Sequence, residues 1–243
     1  MEDYHIHTNL SVCGLLHGGV DYTFENVVSH LQSKLDRIGF CNHIEGFTDA
    51  ENHVKEIRAQ KKRRWENVFF GAEVSFLPSL KALSIPRSLE TEFDYIIGSV
   101  HKIPGYGADH GRVESYRRFE SLFGQEKMIS AYLEGVKGLV GKVDIIGHPF
   151  SHFIRSGVFV GEDVLSEFAE IMDSNALAEI NLRLFRKSPP ELFKRYLNTL
   201  AEMDCSFSIG SDAHSMVELD YEDAKQLIKE TKVSKKSIER PVE

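Results

Sequence analysis

Cysteine is scarce: Cys13, Cys41 and Cys205 are all that the 243 residues contain. An odd, scattered set offers no disulfide framework and fits a reducing compartment. No apolar run approaches the ~20 residues that a membrane helix needs. The first residues also lack the basic-then-apolar order of a secretory leader, so the expectation is a soluble, cytoplasmic protein with no membrane partner. Positive charge is in deficit. Lys and Arg number 29 against 37 Asp and Glu, a net charge of −8. That balance argues against a protein that coats long nucleic acid, and leaves the binding of any anion to a few placed arginines or to metal ions. There is no internal repeat, no linker-like stretch, no Gly-rich phosphate loop and no Ser–His–Asp arrangement. What remains is ordinary: 42% hydrophobic and 27% charged residues, enough to bury a full core. Residues 1–243 read as a single domain.

Short apolar runs alternate with helical patterns. The runs that read as strands are Asp3–His7, Arg37–Cys41, Val68–Glu73, Phe93–Val100, Val143–Gly147, Leu177–Asn181 and Ser206–Gly210. Phe24, Val27, Val28 and Leu31 share one face at helical spacing. Further helices are predicted over Glu51–Trp65, as one long segment from Ser115 to Val140, and over Glu162–Asp173, Pro190–Met203 and Asp220–Glu230. Strand–helix alternation implies a parallel sheet with helical crossovers. Seven strands are one short of the usual eight-stranded barrel. A closed or nearly closed α/β barrel is therefore the first expectation, and an open doubly wound sheet the alternative.

The placement of metal-ligand residue types is the informative feature. The first strand ends in His5-Ile6-His7, and period two puts both imidazoles on one side. His43 follows the second strand, Glu73 ends the third, and His101 and His148 follow the fourth and fifth. Glu179-Ile180-Asn181 ends the sixth, and Asp212-Ala213-His214 follows the seventh. These are the carboxyl ends of the strands, where α/β barrels build active sites. Imidazoles and carboxylates gathered this closely need a cation to offset them. The number of candidates exceeds what one zinc takes and implies two or three divalent ions. Largely imidazole ligation favours Zn, Fe or Mn over Mg or Ca. His30 and His53 sit on predicted helices and read as surface or rim residues. His110 and His152 fall in loops beside the site, each a substrate contact or without a role.

The ordered set resembles the PHP family, named for polymerases and histidinol phosphatases. Tyr4-His5-Ile6-His7-Thr8 is similar to its first motif. Cys41-Asn42-His43 is similar to the second, where Thr-Asp-His is commoner, and Gly71-Ala72-Glu73 to the third. Gly98-Ser99-Val100-His101, Ile145-Ile146-Gly147-His148-Pro149 and Gly210-Ser211-Asp212-Ala213-His214 resemble the fourth, fifth and last. Within the family the chain looks most like bacterial histidinol-phosphatases, through Gly105-Tyr106-Gly107-Ala108-Asp109 and through Glu179-Ile180-Asn181 with Arg186-Lys187 after it.

The resemblance implies a distorted (β/α)7 barrel and a metal-dependent phosphomonoesterase acting on L-histidinol phosphate, a small phosphorylated substrate. It implies three metal positions: His5, His7, Glu73 and Asp212 at the first; Glu73, His101 and His148 at the second; His43 and His214 at the third. Asp212 or His214 would carry protons. Arg186, with Arg155, Arg183 and Asn181, would bind the substrate, the arginines as forks for phosphoryl oxygens.

Two departures stand out. Cys13 occupies the place of a metal-binding His; its thiolate could serve the third metal with an altered metal preference, His17 could swing in instead, or the third metal could be weak or absent. Leu182-Arg183-Leu184-Phe185 replaces the usual Thr and small residues of the sixth motif, which bears on the pocket wall. The competing readings are a phosphoesterase for another small phosphomonoester or short nucleotide, a C–N hydrolase of the amidohydrolase kind, and a non-catalytic metal-binding domain. Neither oligomeric state nor metal identity follows from the residues.

Overall fold

The first strand, β1 (Glu2–Ile6), alternates Asp3 and His5 with Tyr4 and Ile6, and all four are buried. Burial of both faces is what a parallel barrel strand requires. The computed structural model describes residues 1–77, 79–105, 113–172 and 176–242. Around β1 stand β2 (Arg37–Ile44), β3 (Val68–Leu77), β5 (Tyr95–Ser99), β6 (Ile145–Ile146), β7 (Leu177–Asn181) and β8 (Phe207–Gly210), parallel and in that order. The short β4 (Ala82–Leu83) is a hairpin partner of β3, antiparallel through Phe76 and Leu77, and was not expected from the sequence.

The seven parallel strands form a nearly closed barrel. Its seam lies between β1 and the residues after β8. Ile6 bridges Ala213, His7 N donates to Ala213 O at 3.0 Å, and Asp212 N donates to His5 O at 2.7 Å. Buried Asp3 staples the same seam: its Oδ1 accepts from His5 N and Ser211 N, both at 2.9 Å, and its Oδ2 from the Tyr221 hydroxyl at 2.6 Å. Burial raises its carboxyl above the usual range, against those hydrogen bonds.

The helices are α1 (Val12–Gly18), α2 (Phe24–Leu31), α3 (Phe47–Lys61), α4 (Val113–Phe123), α5 (Gln125–Leu139), α6 (Ser151–Arg155), α7 (Glu162–Met172), α8 (Leu182–Arg186), α9 (Pro190–Glu202) and α10 (Glu222–Glu230). Ser11 and Thr23 cap α1 and α2 by accepting from Gly14 N and Asn26 N, which satisfies donors a helix start leaves open. The stretch 115–140 is two helices, not one. Gly124, at φ +85°, takes the left-handed conformation that breaks the run after Phe123. The expected end of α7 at Asp173, and the loop 106–110 with His110, lie outside the described residues.

Apolar helix faces cover the barrel. Tyr132 and Val136 of α5, Phe168 of α7, and Tyr196 and Leu200 of α9 are all buried, each contributing about 1.5–3 kcal/mol. They hold one strained loop. His148 (φ +30°) and Phe150 (φ +59°) both have left-handed backbones, which cost ~1–3 kcal/mol apiece. Phe150 N donates to the Tyr132 hydroxyl at 2.7 Å, and its ring packs 4.8 Å from that of Phe168.

The seam tolerates no added volume. A Cβ on Gly210 would lie 1.9 Å from Glu179 Oε1 and 2.7 Å from His5 Cβ. Gly210→Ala is expected to cost about 1–3 kcal/mol, the range for overpacking, read by urea denaturation; a neutral result would mean that β7 and β8 can part at no cost.

Candidate metal centre

The barrel's carboxyl end gathers the side chains at the strand ends around one carboxylate. Glu73, 1% exposed, lies in the buried stretch of β3 beside His43 of β2, its register partner. Its Oε1 accepts from Ser99 Oγ at 2.7 Å and faces His101 Nε2 at 2.9 Å and His148 Nε2 at 3.1 Å. Its Oε2 lies 2.8 Å from His43 Nδ1, 3.3 Å from His5 Nε2 and 3.6 Å from His7 Nε2. Five imidazoles thus surround one carboxylate, and among the described residues Oε2 is buried with no donor in hydrogen-bonding geometry. Asp212 Oδ1 stands 3.4 Å from His7 Nε2 and 3.5 Å from His214 Nε2. Its backbone, at φ +52°, is a third left-handed residue in this part of the fold.

The charges show what the cluster needs. Burial opposes protonation of His5 and His43, yet the carboxylates beside them lift both well above the usual imidazole value. His7 and His101 are driven below it, chiefly by burial and by neighbouring imidazoles. Glu73 is held well below the carboxylate range, against burial, by His43, His101 and His5. His5, His7, His43 and His101 cannot all be charged at once, because charged rings repel one another. Divalent cations would satisfy every lone pair together. Three overlapping groups have ligand atoms close enough to share an ion: His5, His7 and Asp212; His43, Glu73 and His101; and His7, Cys13, His43 and His214. The residues therefore fit metal ions.

A layer behind holds the ligand-type residues in place. Glu179 of β7 takes His5 Nδ1 at 2.6 Å on one oxygen and His148 N at 2.5 Å on the other. Asn181 Nδ2 reaches both Glu179 Oε2 (3.0 Å) and Asp212 Oδ2 (3.2 Å), while its Oδ1 caps α8 by accepting from Leu184 N. Ser75 Oγ meets His101 Nδ1 at 2.8 Å. Asn42, in the second motif, ties β2 to Thr8 through both ends of its amide.

A PHP domain match spans residues 3–183. The chain belongs to the PHP domain family. No curated protein sequence matches it. One chain of the cryo-EM structure of archaeal ribonuclease P with mature tRNA is similar at 14% identity and a TM-score of 0.43, over 82% of this chain and 81% of its own length.

As a PHP domain, the chain places His5, His7, Cys13, His43, Glu73, His101, His148, Asp212 and His214 in one cluster. A pocket of about 380 Å³ opens on it, lined also by His17, Ser151, Arg155, Asn181, Arg183 and Lys187. Arg186 is the exception. Its Nε pairs with Asp223 at 2.8 Å, and its other nitrogens donate to the carbonyls of Glu218 and Asp220. It ties α8 to the start of α10 and does not line this pocket, which corrects the sequence expectation. Lys187, next to it, does line the pocket; burial and then Arg183 lower its ammonium below the usual range. Asn181 lines the pocket as well, but with an amide already committed to Glu179 and Asp212.

Two histidines also depart from expectation. His53 is buried, Nδ1 against Asp49 O at 2.9 Å, and is no surface residue. His152 is buried on α6, where Nε2 meets His101 O at 3.3 Å. The sequence places Glu179 at a strand end and within the sixth motif but gives it no partner; nothing local connects it to His5, 174 positions away. Glu179→Gln is expected to weaken metal affinity by about 10–100-fold, the scale for losing an outer partner of a ligating imidazole, with thermal unfolding still cooperative. Competition against a chromogenic chelator measures it, and an unchanged affinity would remove Glu179 from the centre.

Proposed function

We propose that this chain is a metal-dependent phosphomonoesterase and that L-histidinol phosphate is its substrate. The observation that carries the reading is a juxtaposition. Arg155, Arg183 and Lys187 line the same small pocket as Glu73, His43, His148, Asp212 and His214. Cations beside a metal-binding cluster suit a phosphoryl group. Divalent ions bound there would supply activation of water and neutralisation of charge on the phosphoryl oxygens.

The chain's own residues do the rest. Among the described residues, Arg183, 15% exposed at its side chain, meets acidic side chains only at long range, 3.8 Å to Asp212 Oδ1 and 3.8 Å to Glu218 Oε1, and donates Nη1 to the Asp212 carbonyl at 3.3 Å. Its fork is left to grip phosphoryl oxygens, with Arg155 and Lys187 adding charge. Asn181 fixes the Asp212 carboxylate at the pocket wall, where Asp212, or His214 beside it, would take the proton of the attacking water and return it to the leaving oxygen. A second groove shares His17 and His43 with the first and is lined by Leu10, Leu16, Glu45 and Asp49. An apolar wall with two carboxylates suits a leaving alcohol that carries a flat ring and an ammonium group.

A second reading, another small phosphomonoester or a short nucleotide, is favoured by one observation. Three cationic side chains exceed what one phosphate beside metal ions requires, so a substrate with a further anionic group would use them. Turnover of a panel of phosphomonoesters by the metal-reconstituted protein decides. The expected result is the highest kcat/KM for histidinol phosphate. Equal or better turnover of unrelated small phosphomonoesters would remove the substrate and leave the reaction. No turnover of any member, a generic aryl phosphate included, would remove both and favour a metal-binding module.

A further inference from the structure

One corner of the cluster differs in chemistry from the rest. The groups facing Glu73 are imidazoles and the Ser99 hydroxyl, whereas Cys13, at the start of α1, brings a sulfur to 3.8 Å from His7 Nδ1. One ligand atom from each of His7, Cys13, His43 and His214 lies within 4.8 Å of the others. His214 is 8% exposed, and neither ring nitrogen has a hydrogen-bond partner among the described residues. With only the 3.5 Å approach of Asp212 Oδ1 to Nε2, this buried imidazole recovers little of the hydration it loses, so the ring points to a ligand. The spacing agrees. Zn–N bonds of about 2.0–2.1 Å and a Zn–S bond of about 2.3 Å set tetrahedral donors roughly 3.3–3.6 Å apart, within a short contraction of what stands here. His43 turns Nδ1 and His7 turns Nε2 toward Glu73; with His7 given to the neighbouring position it shares with His5 and Asp212, Cys13, His43 and His214 remain as three ligands with a fourth place open to solvent or substrate.

We propose that Cys13, His43 and His214 hold a thiophilic divalent cation, Zn2+ in preference to Mn2+, through one thiolate and two imidazoles. The proposal rests on the reading of the cluster as a metal centre and adds to it a position with its own selectivity. Thiolate ligation favours zinc, while carboxylate-rich positions accept manganese as readily. Zinc displaces the thiol proton on binding, leaving a Zn–S bond and one proton released to water. Among the three cysteines Cys13 alone is not buried. Burial pushes the Cys205 thiol up to about 11, and the Cys41 thiol well above its usual value. A thiol reagent on the folded protein therefore reports Cys13 alone.

The test uses the full chain, stripped with a chelator and refilled with one metal at a time. With Zn2+, Cys13 is expected to stop reacting with an aromatic disulfide reagent; with Mn2+ it is expected to react as in the metal-free protein. Co2+ is expected to give a near-ultraviolet sulfur-to-cobalt charge-transfer band. Cys13→Ser should lose the band and one equivalent of tightly bound zinc. Cys13→His should lose the band and keep the equivalent. The wild-type titrations need no variant to fold. A thiol that stays fully reactive in saturating Zn2+, with no cobalt band, overturns the proposal. Equal protection by Mn2+ overturns its selectivity. Neither result depends on phosphatase turnover, so this failure and failure of the phosphoesterase reading are told apart.

Discussion

Glu73→Gln is expected to abolish phosphomonoester turnover, with kcat/KM falling by at least about a thousandfold, or ~4 kcal/mol. Bound metal should fall with it. The substitution keeps shape and removes charge, and this carboxylate meets His101 and His148 on one oxygen and His43, His5 and His7 on the other. Without it, ions at neighbouring positions lose their shared anionic ligand. The metal-free protein gives an independent readout. The Glu73 carboxyl lies below its ordinary 4.5, so its contribution to stability is present above that pH and lost as pH falls through the depressed value. The His5 and His43 imidazoles lie above their ordinary 6.5, so theirs is present below that pH and lost as pH rises through the raised values. Their mutual pairing is thus at full strength between pH 4.5 and 6.5. There the metal-free wild type should exceed the variant by up to about 3–5 kcal/mol, the cost of breaking a buried pair from one side. The gap should narrow on either side of that window. Elemental analysis, kinetics and urea melts across pH check the three statements. Unchanged metal content with near-normal activity would displace Glu73 from the centre.

The centre was legible because its residues are placed by strand periodicity. His5 and His7 are two apart on a strand, and Glu73, His101, His148 and Asp212 each fall at or just past a run of apolar residues that has to be buried. A parallel barrel brings such ends to one rim, so their convergence follows from topology. The seven parallel strands were legible for the same reason. The helices α1, α6 and α8 were not, being of five to seven residues, too short to show a 3.6-residue period. The break at Gly124 was hidden because apolar residues on both sides keep helical spacing. The partners of Asp3, Glu179 and Arg186 were not legible either. Each lies 31 or more positions away, across the seam, between β6 and β7 or at the α8–α10 contact, apart from His5 beside Asp3 and Asn181 beside Glu179. Two arginines three apart on one short helix look alike until their neighbours are known.

Arg183→Ala and Arg186→Ala are expected to separate cleanly, although sequence alone ranks the two the other way. Arg183→Ala should depress kcat/KM by about 2–4 kcal/mol, the scale for losing a charged donor to a transition state. Its guanidinium lines the pocket and its acidic contacts are long. Arg183→Lys should recover only part, since an ammonium cannot make two parallel hydrogen bonds to a phosphoryl group. Because Arg183 Nη1 also donates to Asp212 O at 3.3 Å, metal content must be measured alongside; unchanged metal with lowered kcat/KM assigns the loss to the phosphoryl group. Arg186→Ala should leave kcat/KM close to wild type. Its cost should appear instead in stability, about 1–2 kcal/mol for lost charge-assisted hydrogen bonds, as α8 loosens from Asp223 and from the carbonyls of Glu218 and Asp220. Steady-state kinetics and urea melts on the same preparations provide both readouts. A large kinetic defect in Arg186→Ala beside a mild one in Arg183→Ala would mean that α8 turns on substrate binding, exchanging one arginine for the other at the phosphoryl group.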